Sequence, residues 1–337
     1  MNKIQEIIDH LSTEIEKSHL KPGEKIPSEY KLSEMFNVNK TTANKAVACL
    51  VNQKVLKRLK GPAGTIVNRP NLYPKGRIGF LISPIKLGFF AKILSGAQSA
   101  AFSRRYSLTY FNWPKIEEYN EFWECFSQEM PDGLLLSGGT APDGLNMPIV
   151  YADCMRKEDS KDSYVTNDNL AGGCLIAKSL IEMGHKNIAY VTSAGQALHM
   201  KMRGEGFKQA MTEHKLEFRS YPMQSIHVTI DAILKEIPGV TAIAFDSDLN
   251  ASKGIACLER KGLRTPEDIS ITGFAALSEL EHASSITSVD QHPFQIGYQA
   301  AESLIDILEG RQKEPVRKMI PVELFPGNTV KKLNGLI

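Results

Sequence analysis

From Ile78 to Gly273 the chain repeats one pattern: a short apolar run, then a segment whose apolar residues recur at helical spacing. Runs this short, bounded by turn residues, suit strands buried on both faces rather than core helices. They fall at Ile78–Ile82, Ser107–Phe111, Gly133–Ser137, Pro148–Ala152, Asn187–Val191, near Phe218, at Thr241–Phe245 and at Ile269–Gly273. The spacing predicts helices over 89–104, 117–128, 170–183, 203–213, 228–236 and 250–261 between them. Strand-helix alternation of this kind specifies doubly wound α/β architecture with parallel sheets. The strands are too many for one small sheet, so they divide into two lobes.

The first 69 residues have a different texture. Ile4, Ile7, Ile8, Leu11 and Ile15 form one helical stripe, and Lys21-Pro22-Gly23 is a turn. Leu32, Met35 and Phe36 give a second, short apolar face, and Asn37-Val38-Asn39 turns the chain. Asn39 is a candidate N-cap for a helix in which Ala43, Ala46, Val47, Leu50 and Val51 line one side. Lys40, Thr41, Asn44 and Lys45 fall on the other side, with a length and chemistry that reaches base edges or phosphates. Leu56–Lys60 and Thr65–Val67 flank the turn Gly61-Pro62-Ala63-Gly64, a β-hairpin carrying the cations Lys57, Arg58 and Lys60. Helix-turn-helix plus wing is an α+β DNA reader. The same pattern also suits a small helical core with a solvated basic face, and charge separates the two. The net charge of +2 says little, but no Asp or Glu occurs between Glu34 and Glu117. Lys40, Lys45, Lys54, Lys57, Arg58, Lys60, Arg69, Lys75 and Arg77 all sit in that gap, a footprint for a polyanion. Residues 70–76, with two prolines and a glycine, read as a linker, which leaves 77–337 as the α/β domain.

Other function classes lose support. Of the five cysteines, Cys49, Cys125, Cys154, Cys174 and Cys257, no pair has metal or CxxC spacing, so the expectation is reduced, mostly buried thiols in a cytoplasmic protein. The N-terminus shows no signal-peptide h-region, and no stretch is long and apolar enough to span a membrane, which argues against an exported solute-binding protein. No GxGxxG after a strand, P-loop, GxSxG or metal-ligand spacing appears. Hence no catalytic residue, metal ligand or cofactor is assigned.

The N-terminal residues also resemble the GntR family of winged-helix regulators. Leu20, Gly23, Ile26, Pro27, Ser28 and Glu29 match its Leu-x-x-Gly-x-x-hydrophobic-Pro-Ser-Glu signature, and Leu32 matches the following hydrophobic position. Val38 to Val47 is similar to its recognition segment, with Lys40 and Asn44 standing where the family has arginines and Tyr30 where an arginine is common. The resemblance implies a DNA surface of Ser28, Glu29, Tyr30, Lys40, Thr41, Thr42, Asn44, Lys45, Arg58, Lys60, Gly61 and Gly64. Lys is a point charge and Asn prefers adenine, so a typical family operator is not implied.

From Arg77 to about Gly327 the chain resembles the ligand-binding domain of LacI/GalR regulators, itself similar to periplasmic sugar-binding proteins. The matches are Asp132-Gly133-Leu134, Pro148-Ile149-Val150 through Asp153, Val165-x-x-Asp168-Asn169 with Gly172-Gly173 opening the second lobe, Gly184 to Ala189, Arg203-x-x-Gly206-Phe207, Asp268 to Phe274, and Thr287 to Gly297 before the last helix. Such domains bind a small polar ligand between lobes. By position, Phe89, Phe90, Asp153, His199, Arg203, Asp246, Ser247 and Gln291 are the expected effector residues. One of the two phenylalanines is expected in the core, and Asp248 is expected to cap a helix. Ala275 and Ala276 stand where many members place a ligand-binding aspartate, and Asp246 is the candidate to compensate. GntR-type readers joined to LacI-type sensors resemble arabinose-type repressors. The resemblance implies a homodimeric repressor of carbohydrate genes on pseudo-palindromic operator DNA, modulated by a sugar-like effector. The alternative is a sensor that has lost sugar binding and answers to a protein corepressor or other ligand.

Overall fold

The computed structural model describes all residues except 1–2, 18, 62–63, 69–73, 84–87, 116–117, 129, 143, 156–160, 194–196, 278–285 and 334–337, and except the side chains of 16, 125, 127 and 128. Most of the expected linker, Arg69, the Pro62-Ala63 tip, the expected helix start at Glu117 and the Cys125 side chain therefore lie outside the described residues. The chain divides into two units, Met1–Lys75 and Gly76–Ile337.

In the first unit α1 (Lys3–Glu16), α2 (Glu29–Met35) and α3 (Lys40–Asn52) precede a wing of β1 (Leu56–Arg58) and β2 (Thr65–Val67). Ile7 and Leu11 of α1, Leu32 of α2, and Ala46, Val47 and Leu50 of α3 are fully buried in one core with Leu56 and Val67 of the wing. Each large apolar side chain so buried contributes about 1.5–3 kcal/mol. The expected face of α2 is narrower in the fold, because Met35 is 51% exposed. The wing is antiparallel, with Lys57 opposite Ile66. Residues 23–26 run beside β2, where the Ile26 N–H donates to the Thr65 carbonyl and the Gly23 N–H to that of Val67. This clamps the wing to the segment entering α2.

The second unit has two parallel sheets. The first lobe orders its six strands β13-β7-β6-β5-β3-β4 and the second orders four as β11-β10-β8-β9. Here β3 is Gly76–Ile82, β4 Tyr106–Asn112, β5 Gly133–Leu136, β6 Ile149–Ala152, β7 Ser163–Asn167, β8 Ile188–Thr192, β9 Arg219–Pro222, β10 Ala242–Phe245, β11 Ser270–Thr272 and β13 Arg317–Ile320. Between them lie α4 (Gly88–Ser103), α5 (Tyr119–Gln128), α6 (Asn169–Glu182), α7 (Leu198–Glu213), α8 (Ile226–Glu236), α9 (Asp248–Arg260) and α10 (Pro293–Leu308). A small antiparallel pair, β12 (Ser288–Asp290) with β14 (Glu323–Phe325), completes the second lobe.

Two differences from the sequence expectation matter. The strand β7, read only as the opening of the second lobe, pairs with β6 in the first sheet, so the chain crosses between lobes after Asn167. It returns before α10 and crosses again after β13. Helix α7 starts at Leu198, ahead of the expected 203, because its first turn carries too little apolar periodicity to be seen. Both lobes use glycine to bring helices together: a methyl on Gly96 of α4 would lie 2.0 Å from the Phe294 carbonyl oxygen of α10, and one on Gly173 of α6 would lie 2.0 Å from that of Arg203 in α7. The first crossing is reinforced by Arg104, which donates to Glu302, Asp306 and Glu309.

The C-terminal tail is tied to the second lobe by His185, whose ring nitrogens lie 3.0 Å from Thr241 Oγ1 and 3.1 Å from the Lys331 carbonyl. Burial lowers the pKa of this imidazole. Cys257 is buried and Cys49, Cys154 and Cys174 are half-buried, with Cys49, Cys174 and Cys257 as free thiols. No helix of the described residues is long and apolar enough to cross a membrane.

Candidate nucleic-acid interface and ligand cleft

The N-terminus of α3 is built to carry positive charge outward. Asn39 Oδ1 accepts from both the backbone N–H and the hydroxyl of Thr42, each at 2.8 Å. No acidic residue occupies the first turn, where Asp or Glu would complement the helix dipole. Lys40 sits there instead, at a cost of a few tenths of a kcal/mol that an anion at this end would reverse. The structure places Lys40, Thr41, Asn44 and Lys45 together on the exposed face of α3. Thr42 differs from the sequence expectation: its proton is given to Asn39, which makes it part of the cap.

Ser28 caps α2, accepting from the Lys31 N–H, and Tyr30 beside it is 64% exposed. Glu29 is tied to the wing, for Arg58 Nη2 donates to Glu29 at 2.9 Å and to Asn44 Oδ1 at 2.6 Å. Asn44, the candidate adenine reader, thus has its carbonyl engaged, and bidentate reading of adenine requires Arg58 to let go. Lys60, Gly61 and Gly64 are exposed at the wing tip, and both glycines have positive φ, 71° and 75°. The wing's Leu59 N–H closes the turn onto Gly64.

In the second unit a cavity of about 320 Å³ lies between the lobes at the carboxyl ends of the strands. Phe89 and Phe90 of α4 and Asp153 after β6 line it from the first lobe, and His199 and Arg203 of α7 with Ser247 before α9 line it from the second. Gln291, on the return crossing, closes it. Phe89 also belongs to the first lobe's core, with Phe90 edge-on at 5.5 Å between ring centroids.

Arg203 is the centre of this site. It is 6% exposed. Its guanidinium donates to Asn169 Oδ1 at 2.8 Å, the Asp246 carbonyl at 2.9 Å and Gln291 Oε1 at 3.0 Å. Its plane rests 3.9 Å from the Phe274 ring centroid. The partners are neutral and sit on both crossings, since Asn167 also donates to Gln291 and Asn169 follows β7. Burial lowers the Arg203 pKa, opposed by the negative charge of Asp153. Sequence reading missed Asn167 and Asn169, although two asparagines flanking Asp168 at a lobe crossing were visible there.

Asp153 and His199 complete the electrostatics. Burial pushes the Asp153 carboxyl up to about 7, with Arg203 pulling the other way. Burial, aided by the Arg203 charge, pushes the His199 imidazole down to about 4, so it is neutral near pH 7. Asp153 has a left-handed backbone (φ 60°), as do Ala276 (φ 49°) and His292 (φ 50°) around the cleft. Strain of this kind collects at functional sites.

Two expectations are corrected. Asp246 does not line the cavity; it is fully buried, and its carboxylate accepts from the Ser193 N–H at 2.5 Å and hydroxyl at 2.8 Å. It therefore does not compensate for Ala275 and Ala276. Asp248 is not the cap of α9: Ser247 is, while Asp248 accepts from the Leu277 N–H at 2.7 Å and the Ser288 hydroxyl at 2.6 Å. Desolvation at that buried position raises the Asp248 pKa. Among the described residues no His, Cys, Asp and Glu cluster could hold a metal ion.

Comparison with known proteins agrees with both halves. Residues 3–67 match the model of bacterial regulatory proteins of the gntR family, and residues 177–330 match the periplasmic binding protein-like domain. The chain is 26% identical over 266 residues to the HTH-type transcriptional repressor PurR of Erwinia tasmaniensis, covering 74% of this chain and 77% of that protein. It is 26% identical over 273 residues to the ribose operon repressor of Halalkalibacterium halodurans, covering 77% and 82%. The transcriptional regulator CelR in complex with cellobiose superposes with a TM-score of 0.67 at 20% identity, over 90% of this chain and 100% of that one. These are families of non-enzymatic regulators. The chain is a transcription regulator in which a GntR-type helix-turn-helix domain is joined to a periplasmic-binding-protein-like effector domain of the LacI type.

Proposed function

We propose that this regulator is a repressor of carbohydrate-utilisation genes, binding operator DNA through α3 and the wing and releasing it when a sugar-like effector fills the cleft. The observation that carries the reading is Arg203, which lines the cavity while bonding to Asn169 and Gln291 on two lobe crossings. A ligand that draws on that guanidinium biases the hinge directly. It shifts the DNA-competent population only as far as its affinities for the two hinge states differ. The repressor relatives and the cellobiose complex of a regulator with this fold support the direction of the response and the ligand class. A homodimer would set two readers on a pseudo-palindrome.

The test is a thermal-shift screen of the full chain against pentoses, hexoses, uronic acids, disaccharides and their phosphates, followed by DNA binding with and without each hit. Ligand at about 100 times its Kd adds roughly 2.7 kcal/mol. A hit that also lowers operator affinity, and that weakens in Arg203→Ala, supports the proposal. A hit that tightens DNA binding makes the protein a corepressor-dependent regulator. A blank screen favours a sensor that answers to a protein, the reading that Ala275 and Ala276 support.

A further inference from the structure

The polar groups around the cleft are largely committed to one another. Gln291 Oε1 accepts from both Asn167 and Arg203. Ser193 donates its hydroxyl to Asp246 and accepts from Asn250 Nδ2. Ser247 caps α9. By contrast, the Asp153 carboxylate and the His199 ring make no hydrogen bond to the described residues and line the cavity. Gln291 lines the cavity with them, its amide oxygen already engaged.

Much of the remaining lining is apolar. Phe90, Leu249, Phe274, Ala275 and Leu277 make up this wall, and Leu249 is left 38% exposed. The loop that presents Ala275 and Leu277 is held in a costly shape, with φ of 133° at Ala275 and 49° at Ala276. Three bonds fix it there: the Ala275 N–H to the Val289 carbonyl at 3.1 Å, the Ala276 N–H to Ser288 Oγ at 3.1 Å, and the Leu277 N–H to the buried Asp248 carboxylate at 2.7 Å. A sugar hydroxyl turned to that wall would leave water and find no partner. A flat ring would instead gain area and edge-on contact with Phe90.

We infer that the cleft takes a glycoside with an aromatic aglycone rather than a free sugar, its hydroxyls on Asp153, His199 and Gln291 and its aglycone against Phe90, Leu249 and Leu277. This rests on the reading of the cleft as the effector site.

The test is calorimetric titration of the full chain with para-nitrophenyl β-D-glucoside, β-D-galactoside and β-D-xyloside, each beside its parent sugar, and with para-nitrophenol alone. At least one glycoside is expected to bind about tenfold or more tighter than its parent. Leu249→Gln, at a side chain too exposed to threaten folding, is expected to erase most of that ratio, and Ala275→Asp to do the same. Asp153→Asn is expected to weaken glycoside and parent alike. A parent sugar that binds as tightly as its glycoside overturns the inference and leaves the effector reading standing. Para-nitrophenol binding as tightly as the glycosides overturns it too, since the sugar then contributes nothing. If neither sugars nor glycosides bind, both the inference and the effector reading fall.

Discussion

Replacing Gly173 by alanine tests whether the position of Arg203 depends on the close crossing of α6 and α7. The added methyl would lie 2.0 Å from the Arg203 carbonyl oxygen and 2.9 Å from the Phe207 nitrogen, both backbone atoms of α7. The reciprocal contact, Gly206 against the Leu170 carbonyl at 1.9 Å, shows that the tightness runs along the crossing. No side chain can swing away, so the helices must part, and close-packed interiors absorb such movement poorly. Removing a glycine from a helix interior returns about 0.8–1 kcal/mol. Overpacking costs about 1–3 kcal/mol, and a clash with backbone belongs at the upper end. The expected net loss is about 1–2 kcal/mol, a fall in Tm of roughly 2–8 °C for a unit of this size. The assay is thermal unfolding followed by circular dichroism, with Gly204→Ala as control. That control adds a methyl to α7 too, but meets only Tyr190 Cε1 at 3.3 Å. Because the contact is to Arg203 itself, Gly173→Ala should also weaken effector binding, and Gly204→Ala should not. If Gly173→Ala melts at or above the wild-type temperature, the crossing has slack and the argument from glycine fails.

Three further predictions concern charge and base reading. The Asp153 carboxyl is held up at about 7 against an ordinary 3.8, so between these values the folded chain keeps a proton the unfolded chain has lost, and this group's contribution to stability falls as pH rises. His199, held down at about 4 against 6.5, acts in the opposite sense, its contribution growing as pH rises through that window. Asp153→Asn should therefore steepen the rise of Tm with pH between about 4 and 6.5, and a profile parallel to wild type would reject the raised carboxyl. On DNA, Lys40→Ala and Lys60→Ala should each weaken binding and reduce the salt slope by about 0.9; unchanged slopes in both place the DNA surface elsewhere. Asn44→Ala should lose about 1–3 kcal/mol of discrimination at one adenine, read by titrating operators with that base pair exchanged, and an equal loss for wild type and variant would reject the contact.

The α/β order was legible because buried parallel strands leave an unbroken apolar run, as at Ile78–Ile82, which no surface helix mimics. The reader was legible because α3 separates its faces cleanly, Ala43, Ala46, Val47 and Leu50 inward and Lys40, Thr41, Asn44 and Lys45 outward. What escaped was whatever depends on the partner rather than the residue. Strand position gave Asp246 as a cleft residue, but the competing donors of Ser193 turn its carboxylate inward. Asp248 reads as a cap from spacing, yet the strained loop at Ala275 and Ala276 claims it. The engagement of Asn44 by Arg58 joins residues on different elements, and neither shows in a local pattern.

The crossings between lobes also bear on how the chain is made. Neither lobe is a continuous piece of sequence: the first closes only when α10 and β13 arrive, after most of the second has been synthesised, and the second in turn waits for β14. Until α10 and β13 arrive, β7 presents a bare strand edge where β13 will pair, and α4 lacks the helix its Gly96 is shaped to receive. Such an edge invites pairing with another nascent chain. Chains halted before residue 293 should be held by chaperones or degraded rather than accumulate as a folded first lobe, and the two lobes should not be separable by any single cut.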